Sequence, residues 1–349
     1  MEAFQLRNRV LGFVTLVSAV VLLSGCAGSA NPVAGARAYE NPGASPRVSS
    51  SLERHSSSGD LLYTSSTSGS VYIYSYPQGK RVGELTGFNG GAGMCTDPTG
   101  DVFIPSITNS STGASTIYEY AHGGTQPIAE LSDTGTAFGC SVDPLTGNLA
   151  VANIYDTTNP YSIRNGSVAV YAAAQGSPNL YYSSSLGIEL CGYDNKGNLY
   201  LSVFNGQQNT AQLARLAKGG DSISLMTLNV TIDTDPEYFT PFVQWDGKHV
   251  TISSYKGFGS PVLVYQLAVS GNQATAVGTT NLDSKKNHHA GQSWIQGNKF
   301  IGIALVKSAS NVALWSYPKG GSPTSQIKKV IERNIGSLDG VVVSRGSTH

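Results

Sequence analysis

Short stretches in which apolar and polar residues alternate recur along most of the chain, separated by glycine, proline and asparagine. The first, residues 70–79, reads SVYIYSYPQG, the period-two pattern of a partly buried β-strand followed by a turn. Five similar segments follow, anchored at positions 118, 171, 214, 265 and 315, so the unit recurs every 43–53 residues. The pattern therefore predicts a repeated β unit and no long helix.

A second element precedes each copy: a turn with Asp or Asn and Gly, followed by a β-rich stretch, as in DPTGDVFI from Asp97 and DNKGNLYL from Asp194. Each unit then contains four strands, A to D, with tight turns between A and B and between C and D. Such units bury their faces only by stacking radially. We therefore expect an all-β, six-bladed β-propeller of four-stranded antiparallel blades over residues 60–349.

The two ends of the array are complementary. The first copy begins at strand B, near Asp60, with no strand A before it. The last copy is followed by DGVVVS from Asp339, which matches the strand A pattern that leads to Asp97. We expect the C-terminal strand to complete the first blade and close the ring.

The recurring turn and the x-Val-x-Val-Tyr strand resemble NHL-type six-bladed propellers over nearly all of residues 60–345. Copies four to six depart from this pattern, and the YWTD and WD dipeptides of other propeller families are absent. The resemblance implies the same six-bladed ring.

Residues 1–25 have the layout of a secretory signal, with Arg7 and Arg9 before an apolar run at 10–23 that is too short to span a bilayer. The run ends in Leu-Ser-Gly-Cys26, which resembles a bacterial lipobox and implies acylation (palmitate) of Cys26. Ala27 in place of Asp implies, by the same resemblance, an outer-membrane location. An ordinary signal peptide with an incidental Cys26 is the alternative. Residues 26–59, rich in Ser and Pro, predict a flexible tether.

Charge narrows the range of partners. The chain has 22 basic and 22 acidic residues, and 13% of its residues are charged, against roughly 25% in typical domains. No basic excess exists to bind a nucleic acid, so we expect no nucleic-acid partner.

Longer loops, between strands B and C and between D and A, share one face, here called the loop face. Aromatic, amide and charged side chains there fit a glycan, peptide or protein partner, although simple solvation of these loops is the alternative. The rim candidates are Asn153, Tyr161, Arg164, Glu189, Glu237, Tyr238, His288, His289 and Asp339.

Two carboxylates occupy one repeat position. Counting five residues back from each repeat Asp, or its equivalent, places Glu189 and Asp339 at the start of inner strands three blades apart. Enzymes of the gluconolactonase/senescence-marker-protein family hold a divalent cation at this central location. That positional likeness implies calcium or another divalent cation held by Glu189 and Asp339, with Asn153, while two solvated carboxylates are the alternative.

No Gly-x-Ser-x-Gly elbow or HExxH motif is present, so no catalytic residue is assigned. Three function classes stay open: a surface-tethered binding module, a metal-dependent hydrolase or lyase, and a structural envelope component. The His288–His289 pair lacks the further ligands of a zinc site.

The remaining conspicuous residues are interpreted as structural. Asp97, Asp143, Asp194 and Asp246 occur at one turn position and are predicted to stabilise turns. Cys95, Cys140 and Cys191 fall on predicted inner strands of consecutive blades. Either all three are buried thiols, or one bridge forms, for which Cys95 with Cys140 is the favoured pair.

The lipobox generates the first test. Replacing Cys26 with Ala removes the acylated atom, so the protein should move from the membrane fraction to the soluble fraction after cell fractionation. Ser24→Ala, which leaves the cysteine in place, is the matched control. Unchanged membrane association of the Cys26→Ala protein would contradict the lipobox assignment.

Overall fold

The computed structural model describes residues 47–48, 59–89, 93–154, 166–183, 186–204, 210–234, 241–257, 260–283, 288–289, 292–306, 309–327 and 338–346. These residues form six sheets arranged as the blades of a β-propeller, which confirms the predicted fold class. Within them, a single 3₁₀ turn at Ala172–Ala174 is the only helix, and no helix has the length and apolarity to cross a membrane.

The strands alternate with short turns along the whole described chain. In chain order they are β1 (Arg47–Val48), β2 (Leu61–Ser66), β3 (Ser70–Ser75), β4 (Arg81–Thr86), β5 (Cys95–Thr96), β6 (Val102–Ile107), β7 (Ser115–Tyr120), β8 (Pro127–Asp133), β9 (Ala137–Val142), β10 (Leu149–Asn153), β11 (Ser167–Tyr171), β12 (Asn179–Tyr182), β13 (Gly187–Tyr193), β14 (Leu199–Phe204), β15 (Thr210–Leu216), β16 (Ile223–Leu225), β17 (Thr227–Leu228), β18 (Ile232–Asp233), β19 (Val243–Trp245), β20 (Val250–Tyr255), β21 (Val262–Ser270), β22 (Gln273–Leu282), β23 (His288–His289), β24 (Trp294–Gln296), β25 (Lys299–Val306), β26 (Ala309–Ser316), β27 (Ser325–Ile327) and β28 (Leu338–Ser344).

Each blade is a run of neighbouring antiparallel strands, counted from the inner strand outwards. Blade 1 is β28-β2-β3-β4, with β1 added on its outer edge. Blades 2 and 3 are β5 to β8 and β9 to β12. Blade 4 is β13 to β16, with β18 also paired to β15, and blade 5 is β19 to β22, with β17 parallel to β22. In blade 6 the inner strand is split into β23 and β24, which both pair with β25, followed by β26 and β27.

The C-terminal strand closes the ring. β28 pairs with β2 in antiparallel register from Leu61 opposite Ser344 to Ser66 opposite Leu338, as the sequence predicted. Val341 on β28 packs in a cluster with side chains of blade 6, whereas Val342 packs in a cluster with side chains of blade 2. The last strand therefore joins both neighbouring blades as well as its own sheet.

Adjacent blades are held together by apolar side chains from facing sheets. Phe242 of blade 5 and Phe300 of blade 6 meet edge to face with their ring centroids 5.4 Å apart, and Trp315 lies 5.9 Å from Phe300. Because strand side chains alternate between the two sheet faces, every blade needs a neighbour on each side. Removal of one blade strand should therefore expose two apolar interfaces.

The repeated aspartates stabilise turns, as predicted. Asp97 Oδ1 accepts the backbone N–H groups of Thr99 and Asp101, at 3.0 and 2.8 Å. Asp143, Asp194 and Asp246 likewise accept backbone N–H groups of their own turns. Gly100 in the first such turn has φ +98°, and a Cβ there would lie 2.4 Å from the Arg345 carbonyl oxygen, so a side chain is excluded.

Cys95 and Cys140 form a disulfide between the inner strands of blades 2 and 3, with Cα atoms 5.5 Å apart. Cys191 is free and buried. Of the two alternatives left open by the sequence, the structure has the bridge and not three free thiols.

Ring closure gives a stability prediction. Truncation of residues 338–349 removes the inner strand of blade 1 and exposes the apolar edges of two neighbours, so the cooperative thermal transition seen by circular dichroism should be lost. Truncation of 347–349 alone should leave Tm unchanged. Equal melting of both truncated proteins would contradict closure through β28.

The disulfide gives another. The double change Cys95→Ala with Cys140→Ala should lower the free energy of unfolding by about 2–4 kcal/mol, because a loop of this length is then unconstrained in the unfolded chain. Cys191→Ala, a buried thiol without a bridge, is the control and should cost clearly less. Chemical denaturation of the oxidised proteins measures both, and equal costs would show that the bridge adds nothing.

Candidate functional site

A cavity of about 520 Å³ occupies the axis of the ring where the inner strands end. Its lining includes A–B turn residues such as Pro98, Pro144 and Gly247, so it opens towards the face formed by the tight turns, here called the turn face. This is the opposite end of the axis from the loop face favoured by the sequence analysis.

The cavity wall is asymmetric. Blades 4, 5 and 6 contribute Tyr193, Trp245 and Trp294, each partly exposed, whereas blades 1 to 3 contribute smaller side chains such as Thr96 and Ser141. Two of the three tryptophans in the chain therefore line one pocket. Aromatic faces next to polar groups are typical of sites for small organic ligands.

Several polar groups of the wall are already used to join blades. The Gln244 amide accepts the Ile295 N–H (2.7 Å) and donates to the Ile295 carbonyl oxygen (3.1 Å), which binds blade 5 to blade 6. The Tyr193 N–H donates to Ser141 Oγ (3.0 Å), which binds blade 4 to blade 3. These contacts fix the wall in place before any ligand arrives, which lowers the ordering cost of binding.

Arg345 also lines the cavity and is exposed. It follows β28 directly, and its side chain makes no hydrogen bond or ion pair with any residue in the described ranges. Asp97 and Asp246 lie at the same end, but their carboxylates accept N–H groups of their turns. Arg345 is thus the cation at this mouth that is available to a ligand.

Gln292 and Leu190 form the floor of the cavity. Gln292 spans from blade 6 to blade 2: its amide accepts the Met94 N–H (2.8 Å) and donates to the Met94 carbonyl oxygen (2.6 Å). A Cβ on Gly93 would lie 3.0 Å from Leu190 Cδ2 and 3.2 Å from Gln292 Cδ. Blades 2, 4 and 6 therefore meet at this point of the axis.

On the far side of this floor, three inner strands carry a β-bulge at the same repeat position. The pairing skips Phe138 in β9, Glu189 in β13 and Asp339 in β28. A bulge redirects the extra side chain and is common beside functional sites. Counting along the repeats did locate these positions, but the sequence carried no sign of the bulges.

The carboxyl group of Glu189 is largely shielded from water by the surrounding protein. It keeps some contact with solvent, yet protein surrounds it closely enough that burial raises the pKa of its carboxyl group to about 8, with no contribution from another charge.

Asn153, the third residue of the predicted cation site, contacts the crossover between blades 2 and 3. It is fully buried, and its amide donates to Asp133 Oδ1 at 3.0 Å. In the described part of the chain no three His, Cys, Asp or Glu residues are grouped so that they could hold a metal ion. The divalent cation at Glu189, Asp339 and Asn153 that the sequence likeness implied stays a prediction.

The other rim candidates stay predictions. Tyr161, Arg164, Glu237, Tyr238 and the lipidation residue Cys26 lie outside the described residues. The backbone of His288 and His289 forms β23, paired with Leu305 and Ala304 of β25, and their side chains also lie outside the description.

A Ser–His pair occurs where the ring closes. Ser344 Oγ, fully buried, contacts His122 Nδ1 and donates to the Gly100 carbonyl oxygen, while His122 Nε2 lies 3.0 Å from the Gly59 carbonyl oxygen. A nucleophile must reach a substrate, and Ser344 is not accessible to one. The pair therefore links blades 1 and 2 through hydrogen bonds and has a structural role.

The sequence matches no family model and no curated protein. The fold is similar to a chain of the nidogen/laminin complex (TM-score 0.56, 11% identity, 83% of this chain and 100% of that one). It is also similar to TolB from Acinetobacter baumannii (0.53, 13%, 82% and 67%) and to the Cps50 (Swd1) β-propeller domain from Myceliophteria thermophila (0.50, 8%, 85% and 93%). These identities show the fold alone: the chain is a six-bladed β-propeller, a fold commonly used as an interaction module.

The isolated carboxyl group of Glu189 predicts a pH effect. Its folded pKa of about 8 exceeds the usual value of about 4.3, so its favourable contribution to stability is present in acid and is lost as pH rises towards 8. Gln does not titrate, so Glu189→Gln does not lose stability in this way. The Tm of the variant minus the Tm of the wild type should therefore increase from pH 5 to pH 9. The exposed Glu130→Gln is the control, and an equally flat difference for both variants would contradict the assignment.

Proposed function

We propose that this chain is a surface-tethered binding module that takes a small saccharide into the turn-face cavity. The observation that carries the proposal is the aromatic half-wall of Tyr193, Trp245 and Trp294 in a preorganised axial pocket. The pocket volume of about 520 Å³ lies within the 300–1,000 Å³ or so usual for small-ligand sites.

The chemistry of the wall favours a sugar over a purely apolar ligand. The C–H face of a pyranose ring packs on an aromatic face, and its hydroxyl groups need polar partners such as Thr96 and the backbone of the inner strands. Arg345 at the mouth adds a preference for a saccharide that carries a carboxylate, because a guanidinium binds a carboxylate through two parallel hydrogen bonds.

The location is a proposal as well. Acylation of Cys26 would hold the propeller at the bacterial envelope, in the outer membrane. The tether would then begin at Cys26 and end before β1, which pairs with blade 1. A carbohydrate ligand is compatible with this place, where cell-surface polysaccharides are abundant. A second surface on the loop face, built from the rim candidates, would serve a peptide or protein partner.

Intrinsic fluorescence tests the pocket, because two of the three tryptophans line it. Neutral and uronic-acid trisaccharides should be titrated into the wild type and into Trp245→Ala and Trp294→Ala, with calorimetry as the second readout. Each variant should bind the preferred sugar about tenfold more weakly, since an aromatic contact contributes about 1 kcal/mol or slightly more. Arg345→Ala should weaken the uronic acid alone.

Tyr182→Ala is the control, since Tyr182 is 57% exposed on the outer strand of blade 3 and far from the axis. Saccharide binding that survives both tryptophan changes but is lost in Glu189→Gln would move the site to the loop face. Absence of binding by every sugar tested would contradict the saccharide proposal.

A further inference from the structure

The connection from blade 2 to blade 3 carries two buried polar side chains whose hydrogen bonds do not balance. The chain leaves β8 at Asp133 and enters β9 at Ala137. Ser115 holds this crossover: its Oγ donates to the Gly135 carbonyl oxygen (2.9 Å) and accepts the Ala137 N–H (3.0 Å). Asp133 is 2% exposed and Asn153, from β10, is fully buried.

One half of the contact between these two side chains is complete. Asp133 Oδ1 accepts the Gly135 N–H at 2.8 Å and the Asn153 Nδ2–H at 3.0 Å. Asp133 Oδ2 and Asn153 Oδ1, by contrast, are both buried and both lack a partner. An ionised carboxylate and an amide oxygen only accept hydrogen bonds, so neither of these oxygens can satisfy the other without an added hydrogen.

We propose that Asp133 keeps a proton on Oδ2 in the folded protein and donates it to Asn153 Oδ1, which closes a cyclic acid–amide pair. A single proton then satisfies both oxygens. Rotating the Asn153 amide by 180° exchanges its nitrogen and oxygen. In the cyclic pair, the amide oxygen then faces the other oxygen of the Asp133 carboxyl group, and the same hydrogen is needed between them. The need for a hydrogen therefore does not depend on the assigned amide orientation.

The surroundings favour the neutral acid. Burial raises the pKa of Asp133, more than the hydrogen bonds from Gly135 and Asn153 and the nearby Tyr171 hydroxyl lower it. Tyr171, on β11, is the titratable side chain that faces Asp133 among the described residues. Its single hydroxyl hydrogen is donated to the Ser132 carbonyl oxygen at 2.9 Å, so it does not also satisfy Asp133 Oδ2. No described cation pairs with Asp133, and a buried unpaired carboxylate is costly.

The pair would make this junction of the ring acid-stabilised. A folded pKa above the usual value means that the stabilising contribution is complete below pH 4 or so. It is lost as pH rises through the folded pKa, when the proton leaves and an unpaired anion stays buried beside Asn153.

The experiment detects the proton directly. The wild type is labelled with carboxyl-¹³C aspartate, which excludes the glutamates, and each carboxyl carbon is followed by NMR. At pH 6, about two units above the usual aspartate pKa, the Asp133 resonance should still be at the protonated position. It should be absent from Asp133→Asn and retained in Asp101→Asn, the control for another aspartate whose pKa burial raises.

Asp133→Asn keeps the shape and supplies an N–H in place of the O–H, so it should fold, and its Tm advantage over the wild type should increase with pH. If that variant does not fold, the wild-type and Asp101→Asn spectra still decide. If every aspartate carboxyl is ionised at pH 6, the proposal is wrong, and a buried water or cation supplies the missing partner.

Discussion

Closure of the ring through β28 is the constraint on which the rest of the structure depends. Each blade has two apolar faces and buries neither by itself, so the six interfaces form together or are exposed together. Pairing of β28 with β2 places the last strand of the chain inside the first blade. The buried Ser344, held between Gly100 and His122, adds a polar clasp at the same junction.

The inner strands that join the blades also line the axial cavity, so groups used to join blades are not free to bind a ligand. The amide groups of Gln244 and Gln292 bind the backbones of other blades. Each pairs with a backbone N–H and carbonyl group in the way that a residue of a neighbouring β-strand would. The lining of the cavity includes the aromatic side chains of Tyr193, Trp245 and Trp294, with Arg345 at the mouth. A pocket whose wall is already held by hydrogen bonds binds a ligand at little conformational cost.

Two carboxyl groups, that of Glu189 near the axis and that of Asp133 in the blade 2–3 crossover, share one electrostatic property. Glu189 and Asp133 are separate and not paired with cations, and burial favours the neutral form of each. The effect of each group on the stability of the protein therefore depends on pH.

The repeat period, the Asp-Gly turns and the unmatched ends of the array determined the fold from the sequence, because strand alternation and turn chemistry are local properties. The closing strand was predictable for the same reason.

Three features were not predictable from the sequence. They are the β-bulges at Phe138, Glu189 and Asp339, the amide bridge from Gln292 to Met94, and the pairing of Asp133 with Asn153. Each arises where strands of different blades approach across the axis or a blade junction. Side chains 198 residues apart, as Gln292 and Met94 are, meet only because the ring closes, and no local pattern encodes that distance. The aromatic half-wall likewise comes from repeat positions that differ from blade to blade, so only the tertiary structure brought Tyr193, Trp245 and Trp294 into one pocket.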